Sequence, residues 1–252
     1  MKIILSGSTG LVGREVIRQA LLNPRVTSVI ALTRRPIDVA SIAAGISRAE
    51  KEAIQSDSKQ INVEKVQSVV LQDFMDYPDN VRRELGDADA CIWALALTPL
   101  RSRQYPWDEV VRVTKGYCIA GMEAIAEARS AAGRTGEFRF VYVSANGLSR
   151  DMTEKSLILG DYQLMRAGME NTVLDFDVEH KAFGWNACIV KPGLISGLPG
   201  VMGAFKNAGI TAIGWLVPTV KVEQCAKAML KQCVDGIERQ TLDNSDLVRL
   251  GS

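Results

Sequence analysis

The sequence predicts an α/β fold: a doubly wound parallel sheet with helices on both faces and a small C-terminal segment on the substrate side. Three observations carry this expectation. An apolar run, Lys2-Ile3-Ile4-Leu5-Ser6, leads straight into Gly7-Ser8-Thr9-Gly10-Leu11-Val12-Gly13 and then into a stretch with apolar residues at helical spacing: Leu11, Val12, Val16, Ile17, Ala20 and Leu21. Short apolar runs then alternate with helical patterns, which calls for parallel strands joined by right-handed helical crossovers. After Pro192 the texture changes, with Gly193, Gly197, Pro199, Gly200, Gly203 and Gly209 marking a loop-rich region.

Taken in order, strands are expected at Ile3–Ser6, Ser28–Thr33, Val66–Leu71, Ala90–Ala94, Phe138–Ser144 and Asn186–Lys191, with helices over 11–22, roughly 107–132 and 160–183. Ala40–Lys59 is rich in Ala, Ser, Lys and Glu and reads as a surface helix or insertion. A helix near Val222–Cys233 and a short strand with a terminal turn over Gln240–Leu250 close the chain, and Gly251-Ser252 carry no weight. At 252 residues one domain is expected, with 1–191 as its core and 192–252 as the substrate-side segment.

Composition narrows the function classes. Thirty basic and 29 acidic residues leave a net charge of +1, with no long run of either sign, so a nucleic-acid or membrane-surface partner has no electrostatic footprint. No apolar stretch reaches spanning length and no leader peptide is expected, which points to a cytoplasmic protein. The five cysteines are odd in number and widely spaced, as reduced core thiols would be. His180 is the one histidine, and Asp175, Asp177 and Glu179 beside it suggest a solvated helix face, so metal chemistry is not expected.

The strand, glycine turn and helix at residues 2–22 occur in the order of a dinucleotide-binding βαβ unit. Gly7 allows the tight turn, Gly10 lets backbone approach a pyrophosphate, and Gly13 lets helix and strand pack closely. The first N–H groups of the helix then face the phosphates. The second strand ends Leu32-Thr33-Arg34-Arg35, with arginines where an NAD site usually carries an acid, and a guanidinium grips a 2′-phosphate through paired charge-assisted bonds. NADP is therefore favoured over NAD. Asp73 either accepts from an adenine amino group with Phe74 packing nearby, or caps the next turn. Ala94-Leu95-Ala96 offers the small side chains expected where backbone passes a ligand.

A second group begins with Ser144-Ala145-Asn146 at the end of the fifth strand, followed by Tyr162-Gln163-Leu164-Met165-Arg166. Tyrosine and arginine four apart share a helix face, and a nearby cation favours the phenolate. With Gly7–Gly13, Thr33-Arg34-Arg35, Gln72-Asp73-Phe74, Val111–Tyr117, Val143-Ser144, Tyr162–Glu170, Val190-Lys191-Pro192-Gly193 and Leu242–Asp246, the chain resembles an atypical short-chain dehydrogenase/reductase of the NmrA-like and Tat-interacting-protein-like group. The resemblance runs nearly end to end, apart from Ala40–Lys59.

The resemblance implies an NADP-dependent oxidoreductase acting on a carbonyl or conjugated double bond of a hydrophobic small molecule. It makes Tyr162 the proton donor and Ser144 the group that orients the substrate oxygen, with Asn146 at the position extended members use instead. Arg166 stands where the family has a lysine that holds the nicotinamide ribose, and a guanidinium does not relay a proton as an ammonium can. Gly7, Ser8, Thr9, Gly10, Leu11, Val12, Gly13, Pro192, Gly193 and Leu194 would surround the cofactor. Some relatives bind NADP without turnover, so a silent NADP-sensing regulator, or an isomerase or cyclase without net redox, is the alternative. Leu100, Tyr105, Trp107, Leu148, Leu159, Phe205 and Trp215 are candidates to line an apolar substrate pocket. The chain is expected to be a monomer or a homodimer; Gly116 and Gly121 fit either a helix interface or close packing on the sheet.

Overall fold

The computed structural model describes residues 1–52, 61–152, 160–196 and 218–252. Seven parallel strands lie in the order β3-β2-β1-β4-β5-β6-β9. They are β1 (Lys2–Ser6), β2 (Ser28–Thr33), β3 (Val66–Val70), β4 (Ala90–Trp93), β5 (Phe138–Val143), β6 (Trp185–Val190) and β9 (Thr241–Leu242). A separate two-stranded ribbon pairs β7 (Leu194–Ser196) with β8 (Thr219–Lys221). The main-sheet order is that of a Rossmann-type doubly wound fold, with the switch point between β1 and β4.

Strand alternation divides the core into two layers. Ile3, Leu5, Ala90 and Ile92 face one side and pack with Val16, Ile17, Ala20 and Leu21 of α1 (Leu11–Leu22). On the same side lie Cys225, Ala226, Met229 and Cys233 of α9 (Val222–Val234). Ile4, Cys91, Trp93, Phe140 and Tyr142 face the other side. There they meet Val81 and Leu85 of α4 (Asp79–Leu85), Cys118, Met122 and Ile125 of α7 (Tyr117–Ala131), and Met169 and Val173 of α8 (Gly160–Glu179). Both faces of the sheet are covered, which is why its strands read as nearly continuous apolar runs.

The helix expected over 107–132 is realised as α6 (Trp107–Val111), one π turn (Arg112–Gly116) and α7. At Gly121 a Cβ would stand 2.4 Å from the ring of the fully buried Trp93, so this glycine serves helix–sheet packing. Gly116 faces the side chain of Met75.

Several expectations are corrected. Ala40–Lys59 begins as two short helices, α2 (Val39–Ala44) and α3 (Arg48–Glu52), and residues 53–60 lie outside the described ones. Helix α4 and the single turn α5 (Pro99–Ser102) were not expected. The terminal turn is a helix, α10 (Asn244–Gly251), because Asp243 and Asp246 form a reciprocal capping box around its first turn. Gly251 has a role: a Cβ there would stand 2.3 Å from the Gln224 carbonyl oxygen, so α10 seats directly on α9. The described part of the C-terminal segment thus builds core, with β9 the seventh strand and α9 packed on α1; its loop-rich stretch, 197–217, lies outside the described residues.

All five cysteines are buried and unpaired, and burial raises their thiol pKa values, to about 12 for Cys188 and Cys225. Asp175 and Glu179 are exposed, as a solvated face requires, whereas Asp177 is buried, accepting from the Ala187 amide at 2.9 Å, and the half-buried His180 stacks on Phe176 with ring centroids 3.8 Å apart. Among the described residues there is no metal-binding cluster and no helix long and apolar enough to cross a membrane.

Alanine at an ordinary helical glycine gains about 1 kcal/mol of stability. Gly121→Ala should instead lose about 1–3 kcal/mol, since the new methyl overpacks Trp93. Urea denaturation measures it, and a second substitution, Trp93→Leu, should restore part of the loss.

Candidate cofactor and active site

The glycine turn lies at the sheet's switch point. Gly7 has φ +72°, in the left-handed region, and a Cβ there would stand 2.6 Å from the Ala94 carbonyl. The Gly10 amide donates to the Gly7 oxygen at 2.9 Å, closing the turn. At Gly13 a Cβ would fall 2.3 Å from that same oxygen, so α1 can approach β1 only without a side chain. Gly10 caps α1 with no side-chain hydrogen bond, leaving the helix's first N–H groups for another acceptor. Ser8 is buried and donates to the Leu32 carbonyl at 3.4 Å, whereas Thr9 is exposed. Leu11 and Val12 are half-buried in the first turn of α1.

Beyond β2, Thr33 is buried and its hydroxyl donates to the Arg35 carbonyl at 2.7 Å, folding the chain so that Arg34 and Arg35 stand exposed. Neither guanidinium has a hydrogen-bond or ion-pair partner among the described residues. Asp73, after β3, accepts from the Met75 amide at 3.0 Å and pairs with Arg112 of the π turn. These contacts hold its carboxyl below the usual carboxylate range, the Met75 amide first. It therefore caps its turn. Phe74 is buried and stacks on Tyr117 at 5.5 Å, in the core layer that α4 and α7 share. Ala94, Leu95 and Ala96 are half-buried opposite the glycine turn, and the Ala94 amide donates to Ser6 at 3.3 Å.

Helix α8 brings Tyr162 and Arg166 together, both buried. The Tyr162 hydroxyl donates to the Leu97 carbonyl at 2.7 Å. Burial raises its pKa, and the Arg166 charge opposes that rise. Arg166 points inward: Nη1 donates to the Tyr142 hydroxyl at 2.8 Å, Nη2 to the Val143 carbonyl at 2.7 Å, and the guanidinium lies 5.2 Å from the Tyr142 ring centre. Ser144 is buried too, and its hydroxyl donates to Glu170. Asn146 is exposed; its backbone amide donates to the Pro192 carbonyl at 2.8 Å, and its side chain has no partner among the described residues.

Glu170 was not singled out as a site residue, although it continues the Tyr162–Arg166 spacing by four more residues. Its buried carboxylate accepts from Ser144, from Arg150 Nε at 2.9 Å and from Lys191 Nζ at 3.1 Å. Lys191 also donates to the Leu148 carbonyl at 2.7 Å, and Arg150 to Thr241 at 2.7 Å. One carboxylate thereby ties together the exits of β5 and β6, the 144–150 loop, α8 and β9. A second clamp lies at Asn244, which accepts from the Gly193 amide at 2.8 Å and donates to Thr219 at 3.0 Å. A Cβ at Gly193 would fall 1.9 Å from the Pro218 oxygen, and Leu194 donates to that oxygen at 2.9 Å. Pro192 and Leu194 flank this clamp on the strand exit.

Of the apolar substrate candidates, Leu100, Tyr105 and Trp107 are exposed on and around α5 and α6, and Leu148 is half-buried beside the Glu170 cluster. Leu159, Phe205 and Trp215 lie outside the described residues.

The chain has the fold of the short-chain dehydrogenases/reductases. A short-chain type dehydrogenase/reductase from Mycobacterium ulcerans superposes with a TM-score of 0.66 at 14% identity, over 98% of this chain and 89% of its own. A short-chain dehydrogenase/reductase from Saccharomyces cerevisiae gives 0.64 at 14% identity, over 99% and 98%. MoeE5, solved in complex with UDP-glucuronic acid and NAD, gives 0.65 at 15% identity, over 96% and 76%. No family model matches the chain, and no curated protein matches it by sequence.

Glu170→Ala takes a fully buried carboxylate away from the buried Ser144 hydroxyl and from two half-buried cations, so it should lose about 1–3 kcal/mol in chemical denaturation. An unchanged midpoint would contradict the cluster described above. Asp73 supplies a pH test. A depressed native pKa gives stability that is present above the unfolded carboxylate's pKa, near ~4, and is lost as pH falls through the native value. The stability gap between the wild type and Asp73→Asn should therefore narrow as denaturation curves are taken below about pH 4.

Proposed function

We propose that this chain is an NADP(H)-dependent oxidoreductase of the short-chain type, in the NmrA-like and Tat-interacting-protein-like group, acting on a carbonyl or conjugated double bond of a hydrophobic small molecule. The observation that carries the reading is the glycine cradle at the switch point, with two exposed arginines, unpartnered among the described residues, at the end of the neighbouring strand. The cradle suits a dinucleotide: three positions exclude a side chain or leave backbone amides uncapped where a pyrophosphate lies in this fold. Arg34 and Arg35 supply the charge that a 2′-phosphate needs and that a bare ribose hydroxyl does not. The presence of NAD in the MoeE5 complex supports a nicotinamide dinucleotide in general.

When bound, the cofactor supplies or accepts a hydride; the chain's own residues do the rest. Gly7–Gly13 and the first turn of α1 would hold the pyrophosphate and Arg34 and Arg35 the 2′-phosphate, with the small side chains of Ala94 and Ala96 leaving room opposite the turn. Tyr162 exchanges its Leu97 acceptor for the substrate oxygen and delivers its proton there. Arg166 acts on Tyr162 through its charge, opposing the effect of burial, while its hydrogen bonds stay with Tyr142 and Val143. This departs from the ribose-holding role of the family lysine. Asn146 is the exposed amide available to position the substrate; Ser144, whose proton goes to Glu170, can only accept from it.

A second reading has an observation in its favour. The Tyr162 and Ser144 hydroxyls and two of the Arg166 N–H groups donate inside the protein, which suits a catalytically silent NADP-responsive binder.

Calorimetric titration separates these readings from no cofactor at all. NADPH should bind more tightly than NADH, and Arg34→Ala and Arg35→Ala should each weaken NADPH by about tenfold while leaving NADH unchanged. With a carbonyl panel, Tyr162→Phe should reduce turnover by about 10²-fold or more without loss of NADPH binding. Turnover by the wild type of no carbonyl, with tight NADPH binding, would leave the binder as the function.

A further inference from the structure

A second cleft lies at the opposite edge of the sheet from the glycine turn. It opens between α7 and the C-terminal end of α8, beside Trp185, the first residue of β6. Its volume of about 400 Å³ is within the range of small-molecule sites. One wall is aromatic. Phe176 stacks on His180 and meets Trp185 edge-on at 4.9 Å, and Phe183, in the short turn that follows α8, is 60% exposed. Trp185 itself is 2% exposed, and its indole N–H has no acceptor among the described residues.

The charged groups that line the cleft are not equally engaged. Arg129 donates to the Ala88 and Gly136 carbonyls, Arg134 pairs with Asp89 at 3.0 Å, and Glu127 pairs with Arg82. Glu123 on α7 and Glu179 at the end of α8 are exposed and have no partner among the described residues. Two free carboxylates beside a group of aromatic rings select a cation, which the rings attract through their quadrupoles and the carboxylates through charge. A buried N–H without an acceptor is a standing cost that a ligand oxygen would remove. We propose that this cleft is a second ligand site, taking a small organic ammonium with an aromatic body and an oxygen that accepts from the Trp185 indole. It shares no residue with the proposed cofactor cleft, so its occupation is independent of the NADP reading.

The test uses the full wild-type chain and three probes with one 4-hydroxyphenyl body: tyramine, a cation; tyrosol, neutral; and 3-(4-hydroxyphenyl)propionate, an anion. Each is titrated while the chemical shifts of backbone amides and indole N–H groups are followed. Tyramine should saturate with a Kd below about 10 mM, and the propionate should bind at least about tenfold more weakly. The shifts should centre on Glu123–Arg134 and Phe176–Trp185, with the Trp185 indole among them. Glu123→Gln combined with Glu179→Gln, both at exposed positions, should weaken tyramine to the level of tyrosol. Discrimination of less than about tenfold between cation and anion overturns the proposal, as do shifts centred elsewhere or a double variant that binds tyramine as the wild type does. So does a failure of tyramine to saturate by about 10 mM, including the case in which sedimentation shows a second copy of the chain covering this face.

Discussion

Everything at the cleft depends on one backbone-on-backbone contact. β1, α1 and β4 meet where Gly7, in a left-handed turn, passes against Ala94 and where Gly13 passes against the Gly7 carbonyl. There is no room for a Cβ at either glycine. Any side chain would push α1 from β1 or β1 from β4, and the sheet would lose its register at the point where the strand order reverses. The same closeness puts at the start of α1 a glycine, which offers the first turn no side-chain cap. The packing constraint and the proposed pyrophosphate site are one feature, and the two core layers are built outward from it.

The far side of the cleft is organised by charge. Glu170 gathers Ser144, Arg150 and Lys191, and Arg166 gathers Tyr142 and Val143, so α8 is bound to the ends of β5 and β6 by buried charge-assisted bonds. Such bonds are strong only when every partner is present. This holds α8, and Tyr162 on it, in a fixed position against the sheet.

Much of the architecture was legible in the residues. The six strands expected from apolar runs all form, because a parallel sheet covered on both faces writes itself as uninterrupted hydrophobic sequence. The packing roles of Gly7 and Gly13 were equally legible, since steric exclusion is a property of the residue type. What escaped was short or depended on direction. Helices α4 and α5 have only seven and four residues, too few to establish a period. Helix α10 did carry a signal, Asp243 with Asp246 before Leu247 and Leu250, but at eight residues it spans little more than two turns. At the site, spacing placed Tyr162 and Arg166 on one face, but which neighbour a guanidinium chooses is set by tertiary contacts. Phe74 and Asp73 show the same limit: a position at the end of β3 was visible, and their partners Tyr117 and Arg112, roughly forty residues later, were not.

The central claim is that a 2′-phosphorylated dinucleotide lies across the Gly7–Gly13 turn and the end of β2. Backbone amide chemical shifts followed during titration with NADPH test it most directly, residue by residue. The account predicts the largest changes at Gly7–Gly13, Arg34, Arg35 and Ala94–Ala96. Saturable changes centred elsewhere, with the glycine turn unmoved, would contradict it.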